Sequence, residues 1–457
     1  MTAIKKIILD NFKSFGHIEF DLTEGKRVLP YAFIYGENGS GKSNLLESVV
    51  FLKRSMITLA REPKYEGKEK EVVDLFGNLL DLMKHDGQND SLKQSVMDFL
   101  IPKGLPYLAA QYRMIGDSEG MRVSIILDID GHEASYYMGF DDKGDLVQES
   151  LRYLANERVT ELYRLGSADD DAINSFSPTF FTDGGYEKHL RESIRKYWGK
   201  HSLLSILNYE RIKNNSRFME DAVTNNVFVF MDSLNGIMAE SGPLGEILSR
   251  AENIRYNPQN GTVDRDQLGK LKNYEVALDK AFTRIYSDVR RVYFKTVDTE
   301  DGRIGYTLYF VRHIHGKDRD IPASSESSGT RKILSILPFL MDCAAGKAVM
   351  IDELDSGVHD KLILDMIQEI LGEVKGQLIV TTHNTSLLKI LEPKSAFIIN
   401  VDLNGDREIH SISKIMRTQR NHNNQDRYLR GLMDGVPQMG SLDLDEIAVA
   451  YYEQEAE

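Results

Sequence analysis

Residues 36–43 read Gly-Glu-Asn-Gly-Ser-Gly-Lys-Ser, a complete G-x-x-x-x-G-K-[ST] pattern. No other stretch limits the fold so narrowly, because such a loop works only between a strand that ends beneath it and a helix that starts from it. Both flanks are present. The apolar run Tyr31-Ala-Phe-Ile-Tyr35 precedes it, and Asn44-Leu-Leu-Glu-Ser-Val-Val-Phe-Leu52 follows with helical character. Gly36, Gly39 and Gly41, with Asn38 and Ser40 between them, allow a tight turn whose N–H groups point inward at phosphate oxygens. The helix adds the positive end of its dipole. Lys42 can reach the β- and γ-phosphates, and Ser43 can offer its hydroxyl to Mg²⁺. The pattern predicts a bound nucleoside triphosphate.

Composition narrows the setting. A chain of 457 residues is long for one domain and predicts two or three compact units. A net charge of −14 argues against non-specific sheathing of nucleic acid, which needs clustered Lys and Arg, but leaves room for a local basic groove. The single cysteine, Cys343, permits no internal disulfide and suits a reducing cytoplasm. No signal-peptide pattern is present, and no apolar run approaches the ~20 residues that span a bilayer. The expectation is a cytoplasmic protein with no membrane partner.

Along the chain, residues 4–11 and 17–22 read as a strand pair leading to the loop. A helix-rich, charged stretch covers 44–99. Residues 107–142 read as a β-meander, with strands expected at 107–115, 121–129 and 133–140. From 156 to 289 the pattern is mostly helical, with polar interruptions at 167–177 and 257–266. Strand character returns at 292–297 and 303–313. After that, strands and helices alternate as in a parallel sheet with crossover helices. Three units are expected: an N-terminal lobe over 1–155, a helical insertion or arm over 156–289, and a C-terminal lobe over 290–457. The acidic tail 443–457 reads as a solvated end.

A second group of residues complements the loop. Ala348-Val-Met-Ile351 has the look of a buried central strand and ends in Asp352-Glu353. Open α/β sheets place ligands at such strand ends. Asp352 can hold the Mg²⁺ shell, and Glu353 can polarise an attacking water as general base. Ser324-Ser-Glu-Ser-Ser-Gly-Thr-Arg-Lys332 precedes an apolar helix and offers a second anion cradle. Gln377-Leu-Ile-Val-Thr-Thr-His383 is another apolar strand, ending in a histidine that can contact the γ-phosphate.

These motifs, in this order, make the chain resemble ABC-type ATPases of the SMC, RecF and OLD kind. The resemblance is greatest to stand-alone AAA-15/AAA-21-like bacterial ATPases associated with phage-defence islands. It rests on Asn11-Phe-Lys-Ser-Phe15, the loop 36–43 with Asn44, and the signature-like Glu326-Ser-Ser-Gly-Thr330. Asp352-Glu353, the turn Asp355-Ser-Gly-Val-His359, His383 and the end motif at 427–437 complete it. The signature departs from Leu-Ser-Gly-Gly-Gln in carrying Ser328 and Thr330, and Gln111 reads first as an ordinary strand residue and second as the glutamine of the usual Q-loop.

The resemblance implies an α/β fold: an ABC-type P-loop NTPase head, with a mixed β-sheet flanked by helices plus an antiparallel β-subdomain, carrying a helical insertion. It also implies a composite site for ATP and Mg²⁺. Lys42, Ser43, Asp352, Glu353 and His383 would act in cis, while Ser327 and Gly329 would act in trans and Asp355 would cross the interface. A homodimer or higher even-numbered homo-oligomer follows from that symmetry. Basic clusters interleaved with aromatics at 191–200, 211–217, 290–295 and 417–430 read first as solvated faces and core aromatics, and second as a surface for DNA. No toprim-like carboxylate set, Cys/His metal set or nucleophilic triad is visible. Three functions stay open. The first is a defence ATPase that controls a separately encoded nuclease or toxin effector. The second is a RecF/SMC-like clamp on DNA, and the third a scaffold with slow turnover.

Overall fold

The computed structural model describes residues 1–59, 104–116, 118–155, 157–166, 175–213, 219, 221–240, 258–300, 302–416, 423–436 and 442–452. The charged stretch after residue 59 and parts of the 211–217 and 417–430 clusters lie outside them.

From the N-terminus, β1 (Thr2–Phe12) and β2 (Phe15–Asp21) form a hairpin, and β3 (Thr23–Glu24) with β4 (Arg27–Val28) a short ribbon. Strand β5 (Tyr31–Tyr35) runs into the loop and α1 (Lys42–Ser55). After α2 (Gly104–Ala110), a meander follows: β6 (Arg122–Ile129), β7 (His132–Phe140), β8 (Leu146–Ala155), β9 (Arg158–Gly166) and β10 (Ser175–Phe176). Helices α3 (Gly184–Tyr197), α4 (Leu203–Lys213) and α5 (Asn225–Gly236) lead to β11 (Met238–Glu240). Then come β12 (Asn260–Val263), α6 (Leu268–Ile285), β13 (Val289–Asp298), β14 (Ile304–Ile314) and β15 (Lys317–Pro322). The last part comprises α7 (Ser328–Ala344), β16 (Ala348–Ile351), α8 (Asp360–Leu371), β17 (Gln377–Thr381), β18 (Ala396–Val401) and β19 (Arg407–Ser411).

These strands make three main sheets. Seven antiparallel strands run in the order β10-β9-β8-β7-β6-β1-β2. The central sheet runs β11-β16-β17-β5-β18-β19, parallel except for the antiparallel edge strand β19. In the third sheet β14 pairs with β13 on one side and with both β12 and β15 on the other. The mixed α/β architecture expected from the sequence is present.

The central sheet separates two hydrophobic cores, and the period-2 alternation of its strands assigns each residue to one of them. Ala32, Ile34, Ala348, Met350, Ile379 and Ile399 face a core shared with the antiparallel sheet, α1 and α3 to α5. Phe33, Tyr35, Val349, Ile351, Leu378, Val380 and Ile398 face a core shared with α6, α7, α8 and the third sheet. Covered on both faces, these strands read as unbroken apolar runs, which is why they were legible. Buried Gln377 ties the layers. Its Nε2 donates to the carbonyls of Ile4 (2.8 Å) and Leu29 (3.2 Å), and its Oε1 accepts from the Ile4 N–H (2.7 Å).

Two local readings differ from the structure. The expected strand 107–115 is largely helix: α2 spans Gly104–Ala110, and a turn follows it. Leu105, Leu108 and Ala109 are buried together at helical spacing, and that packing prevails over the aromatic, strand-like composition. The stretch 156–289 is less purely helical than its pattern. β9 extends the antiparallel sheet beyond residue 155, β11 adds an edge to the central sheet, and β12 joins the third. Helices α3 to α5 bury Leu190, Leu204, Leu207, Phe228 and Met231 in the first core.

Candidate functional site

Strand β5 delivers the phosphate loop to the C-terminal edge of the central sheet. The loop's glycines have φ of +152° (Gly36), +79° (Gly39) and +102° (Gly41), beyond what a side chain tolerates. At Gly41 a Cβ would also lie 2.7 Å from the Phe15 ring. Lys42 is buried, and its Nζ donates to the carbonyls of Gly36 and Glu37, both at 2.9 Å. Burial lowers the Lys42 pKa, while Asp352, Glu353, Asp355 and Glu37 pull it upward. The Ser40 hydroxyl is buried and has no hydrogen-bond partner. Asn44 donates from Nδ2 to Ser14 Oγ (2.6 Å), binding the start of α1 to the Asn11-Phe-Lys-Ser-Phe15 turn.

Two neighbouring strand ends supply the acids and the histidine. After β16, Asp352 Oδ1 accepts from the Thr381 hydroxyl (2.5 Å), and Thr381 Oγ1 accepts from the Glu353 N–H (2.8 Å). Glu353 is exposed and sits at φ +46°, a left-handed backbone that costs a residue with a Cβ energy. The next residue of β17's end repeats the arrangement: the Thr382 hydroxyl donates to Asp355 Oδ1 (2.6 Å). The His383 N–H also donates to the Asp355 carboxylate (3.3 Å). Partial desolvation, then the Lys42 ammonium, holds the His383 imidazole below its ordinary pKa against the pull of Asp355, Glu353 and Asp352. Lys42, Asp352, Glu353, Asp355 and His383 thus lie within electrostatic reach of one another.

Ser327 caps the N-terminus of α7, its Oγ accepting from the Thr330 N–H (3.1 Å), and both Ser327 and Ser328 are exposed. Gly329 packs on the Asp355 turn so closely that a Cβ would lie 2.7 Å from the Gly357 carbonyl oxygen. Glu326 is buried and forms a two-bond pair with Arg312 (2.8 Å each), which also donates to Asp288 (2.7 Å). Gln111 is exposed in the turn after α2, whose Tyr112 carbonyl and Met114 N–H pair with the end of β1.

A cleft of about 570 Å³ opens beside Glu37, lined also by Asp402, Asp406, Glu408 and Asp434. Its carboxylates would repel a triphosphate, so the anion reading stays with the loop's N–H groups. The donor set suits Mg²⁺: a Ser43 hydroxyl and an Asp352 carboxylate are hard oxygen ligands of the kind it takes. Among the described residues no cluster of three or more His, Cys, Asp or Glu could hold a metal ion by itself. Nor is any of their helices long and apolar enough to cross a membrane.

Sequence reading missed Thr381, Thr382 and Arg407. The Arg407 guanidinium donates to the carbonyls of Ser40 (3.1 Å), Gly39 (3.4 Å), Ser14 (2.8 Å) and Gly405 (2.8 Å). No motif announces these residues, because what they grip is backbone or a side chain remote in sequence.

Residues 232–389 match a family described as AAA domain, putative AbiEii toxin, Type IV TA system, and residues 6–54 match one described as AAA domain. Over these two segments the chain is similar to AAA domains. The phosphate loop falls in the shorter match; Ser327, Gly329, Asp352, Glu353, Asp355 and His383 fall in the longer. No curated relative matches the sequence. Similar solved structures include an SMC head bound to the C-winged helix domain of ScpA, at 16% identity, covering 89% of this chain and 97% of that one, with a TM-score of 0.42. The SMC head domain from Thermotoga maritima is 15% identical, covering 89% of this chain and 98% of that one, with a TM-score of 0.35. The Smc head with an extended coiled coil bound to the C-terminal domain of ScpA, derived from Pyrococcus furiosus, is 16% identical. It covers 91% of this chain and 98% of that one, with a TM-score of 0.34.

Proposed function

We propose that the chain is an ATPase whose hydrolysis is completed by a second copy of itself, and that it controls a separately encoded effector in bacterial anti-phage defence. One observation carries the chemistry: Lys42, Asp352, Glu353 and His383 converge on the phosphate loop at one edge of the central sheet. In this reading the loop's N–H groups and Lys42 hold the triphosphate. Ser43 and Asp352 would hold Mg²⁺, which neutralises charge between the β- and γ-phosphates when bound. Glu353, fixed through its backbone by Thr381, orients and deprotonates the water. His383, with its lowered pKa, contacts the γ-phosphate as a neutral donor.

The need for a second copy is supported by the exposed Ser327 and Ser328, which lie on the helix end packed against the Asp355 turn. Such an arrangement offers the signature outward, to a partner's nucleotide. The defence reading draws support from the matched family's description, which names a putative toxin of a Type IV toxin–antitoxin system. Two basic clusters are also engaged within the chain: Arg191 pairs with Glu187, Arg211 with Asp232, and the Trp198 N–H goes to Glu149. A second reading, a clamp on DNA, is favoured by the exposed Arg290, Arg291 and Lys295 on β13, with Arg291 over the Tyr293 ring.

The composite site is tested by mixing two inactive variants. Lys42→Ala and Ser327→Arg subunits should each be inactive alone and regain activity when combined, because one site of the heterodimer is intact. No recovery on mixing counts against action in trans. Pull-down of the neighbouring gene's product tests the effector. Salt-sensitive stimulation by DNA, without a bound protein partner, would favour the clamp instead.

A further inference from the structure

A phosphate loop that turns its N–H groups inward must turn carbonyl oxygens outward, and those oxygens need partners of their own. Here Arg407, the first residue of β19, supplies them. It opens the edge strand of the central sheet, in register with Val401 of β18. Its Nε and Nη2 donate to Ser40 and Gly39, the two residues before the Gly41–Lys42 step that opens α1. Its Nη1 donates to Ser14, whose hydroxyl takes the hydrogen bond from Asn44. The fourth bond returns to the carbonyl of Gly405 in its own turn. One guanidinium thus fastens three segments: the loop, the β1–β2 turn beneath it, and the β18–β19 hairpin. Arg407 lies outside both segments that match known families.

We propose that Arg407 is a positioning residue for the phosphate loop, setting the loop's affinity for the triphosphate without touching it. This rests on the reading of residues 36–43 as the nucleotide site. A charged planar donor suits the task. It engages diverging carbonyls at once, and the bond to the Ser40 carbonyl polarises that peptide group so that its other end, the Gly41 N–H, becomes a better donor. Lys offers one donor centre and would hold at most part of the set.

The test compares the wild-type chain with Arg407→Ala and Arg407→Lys by titration with a fluorescent ATP analogue in Mg²⁺, alongside steady-state hydrolysis. Arg407→Ala should raise the dissociation constant and KM by about tenfold. Its kcat at saturating ATP should fall much less, and Arg407→Lys should recover part of the affinity. Thermal melting without nucleotide reports folding; if Arg407→Ala does not fold, Arg407→Lys carries the test, with an expected loss of about threefold. Wild-type affinity in a folded Arg407→Ala, or in Arg407→Lys where the alanine variant does not fold, overturns the proposal. So does a loss confined to kcat. A wild-type chain that binds no nucleotide overturns the site reading and this inference with it, an outcome distinct from the others.

Discussion

At the scale of single residues, the site depends on hydroxyls as much as on acids. Thr381 is fully buried, and its one oxygen both donates to the Asp352 carboxylate and accepts from the Glu353 N–H. Replacing it by Val keeps the shape and removes both bonds, leaving a carboxylate free to rotate and a left-handed Glu353 less firmly held. A hydrogen bond to a charged group contributes about 1.5–3 kcal/mol. Thr381→Val should therefore lower ATP hydrolysis by roughly ten- to a hundredfold, with nucleotide affinity changed far less. Single-turnover hydrolysis beside equilibrium binding checks this, and an unchanged rate would remove Thr381 from the machinery. The acids were legible because Asp352 and Glu353 directly follow an apolar run. Thr381 was not, because its partners lie 29 and 28 positions away and only the fold brings them near.

At the scale of elements, the middle of the chain is held by a buried carboxylate. Glu149 on β8 has no solvent exposure and accepts four hydrogen bonds. They come from Tyr136 and Tyr163 (2.9 Å each) on adjacent strands, the Trp198 indole (2.9 Å) at the end of α3, and the Leu203 N–H (2.7 Å) that opens α4. Burial raises its pKa, and these donors oppose the shift. Glu149→Gln would turn an NH₂ group either toward the Trp198 and Leu203 N–H donors or toward the two tyrosine hydroxyls, which would then have to stop donating to it. A loss of about 2 kcal/mol is expected, read as a lower urea midpoint with an unchanged slope. An unaltered midpoint would show that the four bonds add nothing. The basic, aromatic clusters read first as solvated faces and core aromatics, and the Trp198 indole does face inward. The reading of 107–115 as a strand differs from the structure, where Leu105, Leu108 and Ala109 share one buried helical face. Local composition was a good guide in the central sheet, whose strands are covered on both sides. It failed where a helix packs one face onto a sheet and carries aromatic residues.

At the scale of the whole molecule, motifs separated by some three hundred residues meet because the sheet order β16-β17-β5 interleaves the two ends of the chain. The phosphate loop follows β5, Asp352 and Glu353 follow β16, and His383 follows β17. If the assembly waits on hydrolysis, Glu353→Gln should slow turnover by on the order of 10²–10³-fold and accumulate a nucleotide-bound dimer. Size-exclusion chromatography with light scattering, with and without ATP, checks the prediction. Normal hydrolysis by that variant would mean the base lies elsewhere.

Thr381 and Thr382 are consecutive residues at the end of one strand, and each grips a different acid upstream in the sequence. The consequence is mechanical. A push on the Asp355 turn from outside the chain passes to Thr382, one peptide plane along to Thr381, and so to Glu353. No glycine hinge or long loop in that path can absorb the displacement. In the proposed dimer, docking and bond cleavage would be geared together through a crossbar two residues wide, and loosening either threonine would let one run without the other.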